Sequence, residues 1–350
     1  MSEKKDIRTL SLPDLEATFA DWGEPRFRAG QVWDWLWSKG APEFNAMTNL
    51  SKALRARLAE TYALNSLTEE KTQHSLDGTL KTRWLTYDGH RIESVLIPVT
   101  DDDRYTVCVS TQVGCSLTCA FCATGRMGRR RNLDAAEIFD QVVGVNRQSM
   151  EYFGKPITNV VYMGMGEPLL TYPNTMASIA RLTAPPEDGG LGLGARRITV
   201  STAGIAKMIR KLADDGFRSN LALSLHAADD TKRNEIMPIN ETNNLEVLME
   251  SLEYFYRKTK GRISYEYIAF QQFNDSLDDA RRLVQLCRKQ FPVRVNIIEY
   301  NPIGGVPFEK SDENRLNEFG AFLAKEGVTV TVRRSRGKDI DAACGQLANK

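Results

Sequence analysis

From residue 133 to residue 333 the chain repeatedly changes its hydrophobic period, and this alternation restricts the fold more than any other feature. Residues 133–153, 176–182, 205–215, 245–258, 277–290 and 314–325 space their apolar side chains as helices do. Between them, 157–163, 197–201, 220–225, 263–270, 293–300 and 328–333 are short apolar or alternating runs of strand length. Six or so βα units in succession predict a parallel sheet, because each helix carries the chain back to begin the next strand in the same direction. The class is therefore α/β, with the sheet either doubly wound or curled into a barrel.

Polar or glycine-rich motifs recur where these strands end: Gly164-Met-Gly-Glu-Pro168, Ser201-Thr-Ala-Gly204, Ser224-Leu-His226 and Asn301-Pro302. A further one, Cys115 to Cys122, follows a predicted strand at 105–110. Both α/β architectures place their active sites at the C-terminal ends of strands. These stretches are the candidates for the site.

The N-terminal flank reads differently. Ser11-Leu-Pro-Asp-Leu15 predicts a helix with a serine cap and proline in its first turn, and helical patterns continue through 27–38 and 50–62. Trp33, Leu36 and Trp37 share one helix face, which suits a core better than an RNA platform. From 66 to 112 the period becomes that of strands, at 82–87, 92–98 and 105–110, with Asp77-Gly78 and Asp88-Gly89 as turns. No internal repeat or low-complexity linker interrupts the chain.

Composition sets limits. At 350 residues, 42% hydrophobic and 26% charged, the chain can bury a sizeable core. It has no 18-residue apolar run, and its first ten residues carry Glu3, Lys4, Lys5, Asp6 and Arg8, so we expect neither a membrane span nor a signal peptide, hence a cytoplasmic protein. Six cysteines, half of them clustered, fit a reducing compartment better than a disulfide framework. A net charge of +1 leaves any nucleic-acid binding to local patches. Arg126, Arg129, Arg130 and Arg131 form one, and Arg333, Arg334, Arg336 and Lys338 another. Charge runs also serve as plain solvated surface.

Cys115, Cys119 and Cys122 stand at C-x3-C-x2-C spacing, so three thiolates can converge within one short loop. A [4Fe–4S] cluster normally takes four cysteine thiolates, so three would leave one iron open to a small ligand. A structural zinc site wants four closed ligands, and His74, His90 and His226 are all isolated. Three unligated thiols, packed as small hydrophobes, remain the other reading.

With Phe121 just before its last cysteine, the loop resembles the signature of radical S-adenosylmethionine (SAM) enzymes. Phe27-Arg-Ala-Gly-Gln31, Met47-Thr-Asn-Leu-Ser51, Gln112-Val-Gly-Cys115, Met163-Gly-Met-Gly-Glu-Pro-Leu169, Met237-Pro-Ile-Asn240 and Asp339-Ile-Asp-Ala-Ala-Cys-Gly-Gln-Leu347 extend the likeness over nearly the whole chain. Together they resemble the RlmN/Cfr family of radical SAM RNA methyltransferases, and 27–51 is more similar to the RlmN branch. The resemblance implies a partial (βα)6 barrel over 108–332, an N-terminal helical accessory domain over 1–65, a β extension over 66–107 and a C-terminal segment, 333–350, carrying Cys344. It implies methylation of an adenine in 23S ribosomal RNA, and in some tRNAs, at C2 for RlmN and C8 for Cfr. A non-catalytic, metal-stabilised RNA-binding module is the reading from another class.

The family also implies residue roles. Cys115, Cys119 and Cys122 would hold a [4Fe–4S] cluster whose open iron binds SAM. Gly166, Glu167, Ser201, Ser224, Leu225, His226 and Asn301 would contact SAM. Two SAM molecules would serve each turnover. One methylates Cys344, and the other yields a 5′-deoxyadenosyl radical that activates the methyl group. Cys108 would release the product by attacking the Cys344 sulfur, leaving a disulfide. Glu93 would be the base, although a strand glutamate in isolation reads as a solvated surface charge. A flavodoxin-like protein would supply electrons. Cys287 matches no motif and reads as core.

Overall fold

The computed structural model describes residues 4–288 and 291–349. α1 (Leu12–Asp21) starts as its sequence predicts: Ser11 Oγ accepts the Asp14 N–H, the Asp14 carboxylate accepts the Ser11 N–H, and Pro13 sits where its missing N–H is not needed. α2 (Arg26–Trp37) and α3 (Lys52–Thr61) complete the helical unit. Trp33, Leu36 and Trp37 are buried. Trp37 meets Phe139 edge-on at 5.4 Å, and the Trp33 Nε1–H donates to Asp188 O at 3.1 Å. The tryptophan face is thus the seam that fastens this unit to the rest.

β1 (Thr68–His74), β2 (Leu80–Leu85) and β3 (Arg91–Val99) pair antiparallel, and β4 (Arg104–Cys108) pairs antiparallel with β3. No hydrophobic pattern announces β1, whose sequence is Thr-Glu-Glu-Lys-Thr-Gln-His. It is an edge strand, and a polar edge resists pairing with other chains.

Next come β5 (Gln112–Val113), the short α4 (Ala123–Arg126), β6 (Arg131–Asn132) and α5 (Ala135–Phe153). The alternation then runs as β7 (Asn159–Tyr162), α6 (Tyr172–Thr183), β8 (Ile198–Thr202), α7 (Ala206–Asp214), β9 (Asn220–Ser224), α8 (Asp230–Ile236) and α9 (Leu245–Thr259). β10 (Ile263–Ala269), α10 (Leu277–Cys287), β11 (Val293–Glu299), α11 (Glu313–Lys325) and β12 (Thr329–Arg333) finish it. The predicted continuation of α10 to Gln290 lies outside the described residues. α8 has no counterpart in the sequence pattern, because Asp-Thr-Lys-Arg-Asn-Glu-Ile has almost no apolar content; Asp229 caps it by accepting the Lys232 N–H at 3.0 Å.

All main strands join one sheet in the order β1-β2-β3-β4-β7-β8-β9-β10-β11-β12, and every pair from β4 onward is parallel. The order never reverses, as it must in a doubly wound sheet. The architecture is an open, partial (βα)6 barrel built on β4 and β7–β11, with β12 as one more parallel strand and β1–β3 continuing the opposite edge. The β segment is therefore continuous with the barrel sheet. Among the described residues, no helix is long and apolar enough to cross a membrane.

Candidate active site

The chain leaves β4 at Cys108 and enters the cysteine loop through β5. β5 and β6 form a two-stranded ribbon that pinches the loop at its base, with Val113 opposite Arg131. Gly114 has φ +75°, and a Cβ there would lie 1.9 Å from the Gly128 carbonyl oxygen, so only glycine closes this base. Within the loop the Leu117 N–H donates to Cys115 Sγ at 3.4 Å. The Ala120 N–H donates to Ile236 O, at the end of α8, at 3.0 Å. The Ala123 N–H and Thr124 Oγ donate to the carbonyls of Gly345 and Leu347 at 2.8 and 2.6 Å. The loop is gripped by α8 on one side and by the C-terminal segment on the other.

Burial pushes the Cys115 thiol up to about 11, and the nearby charges of Cys122 and Glu167 add to the effect. Burial raises Cys119 further, followed by the charges of Cys122 and Cys115. Both thiols would stay protonated near neutral pH until a metal displaces the proton. Among the described residues, no three His, Cys, Asp or Glu side chains are gathered to hold a single ion. A cubane asks for something different, one thiolate at each of several iron corners, and three mutually interacting soft donors on one loop fit that demand.

The neighbouring strand ends face the same mouth. Gly166 has φ +99°, and a Cβ there would meet the Gln112 side chain at 2.6 Å. The buried Glu167 carboxylate accepts N–H groups from Leu169 at 3.0 Å and Ala203 at 2.8 Å, while burial raises it to about 6. Ser201 and Ser224 pair through their hydroxyls at 3.2 Å. Leu225 is fully buried, with its N–H donating to Glu266 O at 2.9 Å and its carbonyl accepting from Arg233. His226 lies at φ +55°, and its Nδ1 accepts the Ile268 N–H at 3.0 Å. Burial, then the charge of Arg233, lowers His226 to about 3, so it stays neutral with its proton on Nε2. Its ring stands edge-on to Phe121 at 4.8 Å. Asn301 donates to Glu299 O and Ser335 Oγ.

Cys344 arrives from the far end of the sequence. It keeps solvent exposure at the mouth while its sulfur is crowded by the surrounding protein, and this local burial, then the charge of Glu266, raises the thiol, with Arg333 opposing and Cys122 adding. Cys108 is buried and pushed up to about 12 by burial, with the charge of Cys344 as the next cause. Cys108 and Cys344, to which the resemblance assigns the resolving and carrier roles, are therefore within electrostatic reach of each other, both as free thiols. Glu93 is fully buried, contrary to the solvated-charge reading. One oxygen lies 3.2 Å from the buried Lys81 Nζ, and the other accepts the N–H groups of Ala348 and Asn349 at 2.9 and 3.0 Å. Asp339 fixes the other end of this segment by accepting Ser75 Oγ and the Leu76 N–H at 2.5 and 3.1 Å. The Cys344 segment is thus stapled to the β extension on both sides.

Sequence reasoning missed Lys81, because a lysine on a strand reads as surface. It also missed Arg233, which is buried and makes hydrogen bonds to the carbonyls of Ala203, Ser224 and Leu225 and to Asn240 Oδ1. Burial lowers Arg233 to about 10, opposed by the charges of Cys119 and Asp230. The only signal was its position just before Met237-Pro-Ile-Asn240. Much of both basic runs is already engaged within the chain, which narrows them as RNA patches. Arg131 is bound by Asp88 and Glu137, Arg126 by the carbonyls of Gly304 and Gly305, and Arg334 and Lys338 by Glu299. Arg333 pairs with Glu266 at 3.7 Å, and Arg336 donates to Asp77 O. Cys287 packs against the core, as expected.

An open parallel barrel with three cysteines looping over its C-terminal mouth defines a radical SAM enzyme, and the family model for the Radical SAM superfamily matches residues 109–287. The crystal structure of a radical SAM methyltransferase from Sphaerobacter thermophilus superposes with a TM-score of 0.92 at 41% identity, covering 99% of this chain and 100% of that one. A second model, for the ribosomal RNA large subunit methyltransferase N-terminal domain, matches residues 5–64. A probable dual-specificity RNA methyltransferase RlmN of Christiangramia forsetii is 50% identical over 347 residues, 99% of this chain and 97% of that protein. The dual-specificity RNA methyltransferase RlmN of Anaeromyxobacter sp. is 44% identical over 349 residues, 99% of this chain and 91% of that protein. The chain belongs to the RlmN family of dual-specificity, radical SAM RNA methyltransferases.

Proposed function

We propose that this enzyme methylates C2 of an adenine in 23S ribosomal RNA and of an adenine in some tRNAs, in the cytoplasm, with electrons from a flavodoxin-like donor. Cys115, Cys119 and Cys122 hold the [4Fe–4S] cluster, and Gly166, Glu167, Ser201, Ser224, Leu225, His226 and Asn301 cradle SAM, of which each turnover uses two. The buried Glu167 carboxylate suits an ammonium group, and the backbone beside Gly166 is open to close approach. When bound, cluster and SAM supply a 5′-deoxyadenosyl radical.

The observation that supports the reading is that the Cys344 segment is hydrogen-bonded onto the cysteine loop, Gly345 O accepting from the Ala123 N–H and Leu347 O from Thr124 Oγ, with Cys344 within electrostatic reach of Cys108 and Cys122. Cys344 carries the carbon. C2 of adenine lies between two ring nitrogens and is electron-poor, so a carrier that delivers carbon by a radical route suits it better than attack on a SAM methyl. Cys108 then forms the S–S bond as the bond from the Cys344 sulfur to the delivered carbon breaks, and the carbon takes up a proton. Glu93 removes the C2 proton, for which its carboxylate must first leave the Ala348 and Asn349 amides. Mass mapping of methyladenosine isomers in RNA from cells with and without the chain tests the reaction. Loss of 2-methyladenosine alone is expected. Loss of 8-methyladenosine would assign the Cfr-type reaction instead.

A further inference from the structure

Arg233 is the largest of the fully buried side chains. Among the described residues, no Asp or Glu oxygen forms an ion pair with its guanidinium. Its four acceptors, the Ala203, Ser224 and Leu225 carbonyls and Asn240 Oδ1, are all neutral, at 2.6, 3.2, 3.1 and 2.5 Å. Asp230 stands one residue removed, its carboxylate taken by Asn240 Nδ2 and the Leu245 N–H. A buried cation without an anion is unfavourable, so such an arrangement marks a place where negative charge is expected.

The neighbouring source of that charge is the cysteine loop. α8 touches the loop directly, the Ala120 N–H, next to Cys119, donating at 3.0 Å to the carbonyl of Ile236, one helical turn on from Arg233, and the charge of Cys119 acts on Arg233 across this contact. A cysteine becomes a lasting thiolate when it binds metal. The carbonyls that Arg233 gathers belong to the ends of β8 and β9, beside Ser201, Ser224 and His226.

We infer that Arg233 is the counter-ion and positioning residue of the metal centre: it ties the β8 and β9 ends of the SAM cradle together and places a fixed positive charge behind Cys119. A fixed cation beside a cluster favours the state with one more electron, because net charge and nearby donors set the potential of iron–sulfur centres. Arg233 therefore raises the cluster's reduction potential without touching substrate.

The inference rests on Cys115, Cys119 and Cys122 holding the cluster. That reading fails separately, if the wild-type chain reconstituted anaerobically with iron and sulfide binds no cluster. The test compares the full chain with Arg233→Gln, which keeps hydrogen-bonding capacity without charge, and Arg233→Lys, which keeps the charge. Each is measured for iron and sulfide per chain, for cluster midpoint potential by absorbance without RNA, and for folding of the cluster-free form by circular dichroism. The expected result is that Arg233→Lys stays near wild type, while Arg233→Gln folds and either holds its cluster at a lower midpoint or loses iron that Arg233→Lys retains. A wild-type midpoint in Arg233→Gln, an Arg233→Lys chain that fails alongside it, or an Arg233→Gln chain that cannot fold without a cluster makes Arg233 a structural tie and overturns the proposal.

Discussion

Two sulfur sites share one barrel mouth and are built in opposite ways. The cysteine loop draws its thiols from Cys115 to Cys122, and mostly backbone groups hold them: the β5–β6 ribbon, the Leu117 and Ala120 amides, and the end of α8. The Cys108–Cys344 pair joins the end of β4 to a segment more than two hundred residues away, and beside a backbone bond from Ala123 to Gly345 it is mostly side chains that hold that segment: Asp339 at one end, Glu93 with Lys81 at the other. A loop that closes on its own backbone suits a fixed ligand set. A segment held by a few side-chain staples suits a carrier that must be presented and withdrawn.

The largest expected effect is on the loop. Cys115→Ala, Cys119→Ala or Cys122→Ala should abolish cluster assembly, since two thiolates leave two irons without protein ligands; near-wild-type iron in any of them would break the distinction. Next is the staple. Lys81→Met leaves the buried Glu93 carboxylate without its cation, a loss on the order of 3–5 kcal/mol. Chemical unfolding should report it, and Cys344 should be alkylated faster while iron content stays unchanged. An unaltered alkylation rate would show that the segment needs no staple.

A smaller effect follows from Glu167. Burial raises it to about 6, so it is ionised above that pH and neutral below. SAM affinity, measured by calorimetry on the reconstituted enzyme, should therefore fall as pH drops through about 6, and Glu167→Gln should flatten the profile. In the SAM-free chain the sign is opposite. A raised carboxyl contributes stability that is complete below its usual value of 4.5 and lost as pH rises through about 6. The smallest effect concerns RNA. Arg129→Gln with Arg130→Gln should reduce the salt slope of binding by about 0.7–0.9 for each phosphate these side chains neutralise, whereas Arg131→Gln should instead lower stability by breaking its bonds to Asp88 and Glu137.

The same contrast explains what could be read from sequence. The helical and strand periods revealed a parallel α/β sheet, though not its curl into a barrel, because each parallel strand carries apolar residues in a run or alternation, as in β11 with Val293, Val295, Ile297 and Ile298. β1 and α8 escaped because their residues are polar, and their place is decided by pairing and packing that no local period records. The cysteine loop was visible by spacing alone. Cys108, Cys344 and Glu93 became visible only through resemblance, since nothing local links a strand end to a tail. Lys81 and Arg233 were hidden for a plainer reason: a charged side chain reads as surface until the structure shows what it is buried against.

Cys108→Ala tests the division of labour between the two distant cysteines most directly. If Cys344 delivers the carbon and Cys108 only releases it, this variant keeps its iron, methylates Cys344 and still couples to RNA. It then stalls as a covalent adduct, because no thiol remains to attack the Cys344 sulfur. A denaturing gel of the variant incubated with SAM, reductant and RNA should show protein shifted by RNA, with the link mapping to Cys344. Normal turnover without an adduct, or loss of iron, would contradict it.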